Sequence, residues 1–305
     1  MVYSCQEESV WAPIVKEYEI RTGMTVSVYQ GSFQDLETRI LRDTLSREFD
    51  LVFGADAATL DRYEDHWLEA DPSLGSALDP AFVLPDRIWI PFCSLPAVIL
   101  YNTRIVTWRE VPDGWDSLLE PRWKGRIAFV DPEYSAACAA AFVSAVTSVP
   151  ASGNYMSALM ENLDGRIMDT PGEALDAVAE GRCSIGIAFE TDAQRLKENH
   201  SDIDYIYPAE GFILVPYGSA VIKDCARPQA AAEFLSFSVS QDAQRVLSTA
   251  LNRRPVRRDV SLSPGLSALS QLPRRDSGPD FYDERSMLLA QWRQLLSERK
   301  GGAGL

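Results

Sequence analysis

Ser135 stands between an apolar strand-like stretch and an alanine-rich one, in IAFVDPEYSAACAAAFVSAV (residues 127–146). A serine followed by Ala136 and Ala137 at a helix start offers one hydroxyl and several unpaired backbone N–H groups, and such a start carries partial positive charge. Oriented dipoles of this kind hold an anion without a formal cation. Ser4, Gln6 and Ser32 supply further neutral polar groups after the first two strand-like segments, and Asp56 closes a third. Glu190, Thr191 and Glu210 offer a different chemistry, since carboxylates accept hydrogen bonds from sugar hydroxyls or pair with an amine. Each of these residues also has a structural role open to it. Ser135, Ser32 and Thr191 are good helix caps or turn residues, and Glu190 and Glu210 are ordinary solvated carboxylates at a strand end and in a loop.

Other chemistries lack their residues. His66 and His200 are isolated from any serine or cysteine in a hydrolytic pattern, and GxGxxG, GxxxxGK[ST] and HExxH are all missing. No catalytic activity, cofactor or metal centre is expected. Lys plus Arg number 29 against 44 Asp plus Glu, for a net charge of −15. That balance argues against nucleic acid or an anionic membrane surface as partner. No apolar run approaches the length that crosses a bilayer. Five cysteines, at 5, 93, 138, 183 and 225, show no CxxC spacing and sit mostly in apolar contexts, as small core residues do.

The elements that must position these residues follow from periodicity. Val2–Ser4 reads as a strand; residues 8–22 read as a helix with Val10, Trp11, Ile14, Val15 and Tyr18 at helical spacing, closed by Gly23. Residues 24–29 alternate as a strand, 33–46 form a second helix and 49–56 a third strand. This order predicts an α/β class with largely parallel sheets flanked by helices, whose ligands lie beyond the carboxyl ends of the strands.

The alternation restarts after residue 103, with strands at GRIAFV and CSIGIAF and helices at 135–149 and 173–180, and helices at 228–238 and 240–250 come after the second extended segment, 212–223. Two long extended segments flank that restart. The expected organisation is therefore one lobe of residues 1–97 plus 223–305, a second of 103–212, and hinge crossings at 98–102 and 213–222. A C-terminal helix is expected around Met287–Leu296.

The sequence resembles the periplasmic substrate-binding proteins of bacterial ABC importers, in the subgroup containing ferric-iron-binding proteins and their phosphonate- and sugar-phosphate-binding relatives. The matching pieces include VYSCQEESVWAPIVKEYEIRTGMTVSV, FDLVFGADAATLDRY, ILYNTRIV, PDGWDSLLEPRWKGRIAFVDPEYS, SIGIAFETDAQR, FLSFSVSQDAQRVL and LNRRPVRRDV. The resemblance covers residues 2 to about 260 and implies a two-lobed, hinged type II binding-protein fold. It implies a monomeric, non-catalytic receptor outside the cytoplasm that closes on a small-molecule solute in an interlobe cleft and presents it to an inner-membrane ABC permease.

Iron-binding members hold the metal with a His, a Glu and two adjacent tyrosines. Here Glu7 stands at the His position and Ala55, beside Asp56, at the Glu position, while the tyrosine region reads FETD, with Glu190 and Thr191. The expected solute is thus a small organic anion, a phosphonate or sugar phosphate. The alternatives are ferric iron, which hard oxygen ligands such as Glu7, Asp56 and Glu190 could hold, and a sensing role beside a membrane histidine kinase.

Overall fold

The structure, a computed structural model, describes residues 1–83, 88–133, 136–149, 154–214, 216–275 and 281–302. In chain order it begins β1 (Val2–Ser4), α1 (Glu8–Thr22), β2 (Val28–Gln30), α2 (Phe33–Leu41), α3 (Leu45–Glu48), β3 (Leu51–Asp56), α4 (Ala57–Arg62), β4 (Trp67–Leu68), β5 (Ile90–Ser94) and β6 (Ala97–Asn102). There follow β7 (Ile127–Ala128), α5 (Ala136–Ser148), α6 (Tyr155–Leu163), α7 (Pro171–Ala179), β8 (Ile185–Phe189), α8 (Glu190–Asn199), β9 (Ile203–Ile206) and β10 (Phe212–Ile213). The chain ends with β11 (Pro216–Ile222), α9 (Pro228–Ser238), α10 (Gln241–Leu251), β12 (Arg254–Pro255), β13 (Arg274–Arg275) and α11 (Phe281–Gly302).

Contacts divide the chain into two compact units, the first of Met1–Ser94 with Val215–Leu266 and the second of Leu95–Leu214 with Ser267–Leu305. In unit 1 the strands lie in the order β12-β5-β11-β3-β1-β2, with β4 against β11. β1 is parallel to β2 and β3, while β11 runs antiparallel to β3 and β5. The carboxyl ends of β1, β2, β3 and β5 therefore share one edge. α1 buries Val10, Ile14, Val15 and Tyr18 on a single face, and Tyr18 meets Phe234 of α9 edge-on at 5.1 Å. Phe53 of β3 packs on Phe92 of β5 with ring centroids 4.6 Å apart.

Unit 2 has a sheet in the order β7-β8-β6-β9. β7 and β8 are parallel, and β6 is antiparallel to both β8 and β9. α5 is buried along most of its length, because its alanines let neighbouring backbone approach while Phe142 and Val143 fill the space beyond. α11 closes over it. Trp292 is wholly buried, with its ring 5.6 Å from Phe129 and 5.3 Å from Phe142. Arg293 pairs with Glu133 at 2.5 Å, and Arg299 donates to the Met160 carbonyl at 2.8 Å.

The structure departs from the sequence expectation in four respects. Residues 267–305 belong to unit 2 and not to the first lobe, since Leu288 and Trp292 find their apolar partners there. The chain passes from one unit to the other between residues 94 and 95, a few positions before the expected 98–102, and again between residues 214 and 215, inside the expected 213–222. The sheets are mixed instead of mostly parallel, because β11 and β12 return antiparallel in unit 1 and β6 does so in unit 2. The helix expected over 33–46 breaks at Leu41, where Asp43 takes a left-handed conformation at φ 52° before α3 begins. The five cysteines carry no disulfide, and all but Cys5 are buried. No helix of the described residues is long and apolar enough to cross a membrane.

Candidate functional site

At the carboxyl edge of unit 1 stand four residues singled out in the sequence. Ser4 is fully buried; its hydroxyl donates to the Gln6 carbonyl at 3.0 Å and accepts from the Gln6 N–H at 3.1 Å, which closes a tight turn after β1. Ser32 caps α2 by accepting the Asp35 N–H at 3.1 Å, and its carbonyl receives the Tyr3 hydroxyl at 2.8 Å. Asp56 caps α4 by accepting the Thr59 N–H at 2.8 Å. These side chains hold their own backbone.

Gln6 is different. Its Nε2 donates to the Gly54 carbonyl at 2.7 Å, and its Oε1 accepts from Arg253 Nη1 at 2.9 Å. Gly54, at φ 69°, leaves room for this amide, and a Cβ there would overlap Gln6 Cγ. Arg253 also lies 3.7 Å from the Cys93 sulfur. Burial pushes the Cys93 thiol up in pKa, and the guanidinium partly offsets that. Cys5 is pushed up as well, by burial first and then by the Asp56 and Asp35 carboxylates.

In unit 2 the parallel pair β7 and β8 sends both following helices off from one edge. Ala136 is the first residue of α5, whose first turn carries no acidic side chain; Ser135 lies outside the described residues. Glu190 opens α8, with Thr191 next to it. Contrary to the expectation of a rim position, Glu190 is only 1% exposed, because Tyr207 covers it and donates its hydroxyl to Oε1. Tyr207 is itself braced edge-on by Tyr205 at 5.8 Å, and the Tyr205 hydroxyl donates to Gln194 at 3.0 Å. Glu210 is a cap. Its two oxygens accept the backbone N–H groups of Trp115, at 2.9 Å, and Asp116, at 2.8 Å. Gly114 makes that approach possible, since a Cβ there would land on the carboxylate.

Two residues of these edges went unnoticed in the sequence. Tyr207 sits in YIYPAEG, three residues before Glu210, where an aromatic between two strand ends is an available signal. Arg253 sits in LNRRPV, a pair of arginines between a helix and a proline in an otherwise acidic chain. Among the described residues no group of three or more His, Cys, Asp or Glu side chains could hold a metal ion. Of the hard-oxygen set expected as an alternative, Glu7 is exposed and Asp56 caps α4, both in unit 1, while Glu190 belongs to unit 2.

Two α/β units with polar groups at the carboxyl ends of their strands, and helices that begin there, define a periplasmic binding protein fold. Solved structures agree. Iron-bound HitA from Pseudomonas aeruginosa matches with a TM-score of 0.82 at 22% identity, over 96% of this chain and 97% of that one. AfuA from Actinobacillus pleuropneumoniae, with exogenous fructose-6-phosphate bound, matches with a TM-score of 0.79 at 19% identity, over 95% and 96%. The chain belongs to the bacterial extracellular solute-binding proteins, whose family pattern matches residues 2–250. It is thus a solute-binding protein whose place of work is outside the cytoplasm. Among named relatives, "Iron uptake protein A1" of Synechocystis sp. is 22% identical over 97% of this chain and 86% of that protein. The "Major ferric iron-binding protein" of Neisseria gonorrhoeae is 21% identical over 62% and 59%.

Proposed function

We propose that this protein captures a small organic anion bearing a phosphate or phosphonate group and passes it to an inner-membrane ABC permease, acting as a monomer. The observation that carries the reading is the contrast between two helix starts on one edge of unit 2. α8 opens with Glu190 and Asp192 in its first turn, so its N-terminal dipole already faces carboxylates. α5 opens on small side chains with no acid in its first turn. A doubly charged headgroup is favoured at the second start and repelled at the first. Ser135, by its place in the sequence, adds a hydroxyl to the α5 N–H groups. Glu190, oriented by Tyr207, serves the hydroxyls of the organic part, with Thr191 beside it. Similarity to a fructose-6-phosphate-bound structure supports the same ligand class.

Calorimetric titration and thermal melting against a panel of sugar phosphates and phosphonates test this reading. A true ligand at a hundredfold excess over its Kd raises the melting temperature by about 5 °C. A panel that neither binds nor shifts melting overturns it.

A second reading, ferric iron, is favoured by the Glu190–Tyr207 contact, which joins a carboxylate and a phenol, both hard oxygen donors. Several relatives carry iron in their names. Ferric ion would then give a visible colour that Tyr207→Phe removes. A colourless, unshifted protein eliminates it.

A further inference from the structure

Unit 1 holds a formal cation that the reading above does not use. Several other arginines of this unit are matched to carboxylates: Arg39 bridges Asp35 and Glu48 at 2.9 and 2.6 Å, and Arg257 forks onto Asp259 at 2.8 Å on both arms. Arg253 is matched to none. Among the described residues its guanidinium meets two neutral groups, both through Nη1: Gln6 Oε1 at 2.9 Å and the Cys93 sulfur at 3.7 Å. It is half-buried, where a guanidinium without an anion is unfavourable.

Its place follows from topology. Arg253 immediately precedes β12, which runs antiparallel to β5 with Arg254 opposite Ser94 and Pro255 opposite Cys93. That pairing brings it to the edge where β1, β3 and β5 end. The Ser94 hydroxyl at this same strand end is buried and has no hydrogen-bond partner among the described residues, so a second polar group there is also unmatched. Gln6 cannot drift away from Arg253, since its amide is tied to the Gly54 carbonyl at 2.7 Å and Gly54 tolerates no Cβ beneath it. One arm of the guanidinium is therefore fixed, while Nε and Nη2 form a planar donor fork with no acceptor among the described residues. Such a fork fits the paired oxygens of a phosphate, a phosphonate or a carboxylate.

We propose that Arg253 is an oxyanion-binding residue, with Gln6 as the positioning residue that aims it. The proposal rests on the reading that the solute is an organic anion.

The test is chemical modification of Arg253 by phenylglyoxal, followed by peptide mapping, in chloride alone and with inorganic phosphate, methylphosphonate or acetate. Exposed Arg47 serves as the internal control. At least one oxyanion is expected to slow modification of Arg253 while leaving Arg47 unchanged. Arg253→Gln is expected to weaken that anion by about a hundredfold. Gln6→Glu, which supplies a carboxylate next to the guanidinium, should abolish protection while the protein still melts cooperatively. Modification indifferent to every oxyanion overturns the proposal, as does an Arg253→Gln protein that binds the protecting anion with native affinity. If organic phosphates bind Arg253→Gln unchanged, this inference fails and the reading from unit 2 stands. If only acetate protects Arg253, the inference stands and the phosphate reading fails.

Discussion

The carboxyl edges of the two units are built from similar sequence and used differently. In unit 1 the serines and the aspartate that follow the strands close turns and cap helices: Ser4 onto Gln6, Ser32 onto Asp35, Asp56 onto Thr59. In unit 2 one helix begins with carboxylates and its neighbour with alanines. The difference teaches that small polar residues at strand ends are not by themselves a binding surface. What counts is the donor capacity left after the local backbone is satisfied.

The sharpest way to break this comparison is to give α5 the character of α8. Ala136→Asp places a carboxylate in the first turn. Affinity for an anionic solute should fall about a hundredfold or more from charge repulsion, while the helix itself gains about 0.5 kcal/mol from its dipole. Calorimetric titration and a melting curve on the same variant read both, and unaltered affinity would remove α5 from the account. A smaller effect separates the two glutamates of unit 2. Glu210→Ala should cost about 2 kcal/mol of stability, by leaving the Trp115 and Asp116 N–H groups unpaired, and should leave solute affinity unchanged. Urea unfolding together with titration measures this, and a large loss of affinity would return Glu210 to the site.

The smallest effect lies in unit 1 and depends on pH. Burial alone would raise the Asp35 carboxyl, but hydrogen bonds from Arg39 and Tyr3 hold it below its usual range. A depressed carboxylate contributes stability above its unfolded pKa and loses it as pH falls through the folded value. Asp35→Asn should therefore lower melting at pH 7 by a degree or so, about what a partly exposed pair contributes. The gap to the native protein should narrow below about pH 4. A gap that widens in acid would contradict the assignment.

Much of the fold was legible in local pattern. The helical spacing of Val10, Ile14, Val15 and Tyr18 marks α1, and Ser240 before Gln241 marks the start of α10, because both signals lie within a few residues. Unit membership of the C-terminal segment was not legible, since it depends on Trp292 meeting Phe129 and Phe142, far away in sequence. The site divides in the same way. Asp56 and Ser32 could be recognised as caps from the residue three positions on. The burial of Glu190 depends on Tyr207, 17 residues later, and the setting of Arg253 depends on Gln6, 247 residues earlier.

The docking of α11 has a practical corollary for anyone trimming the protein. A fragment cut where the family pattern ends, at residue 250, would lack the indole that plugs the back of α5, so Phe129 and Phe142 would meet water and Glu133 would lose its counter-ion. Such a fragment would keep the residues that define its kinship yet fray beside α5, and a failure to bind in it would say nothing about the intact receptor.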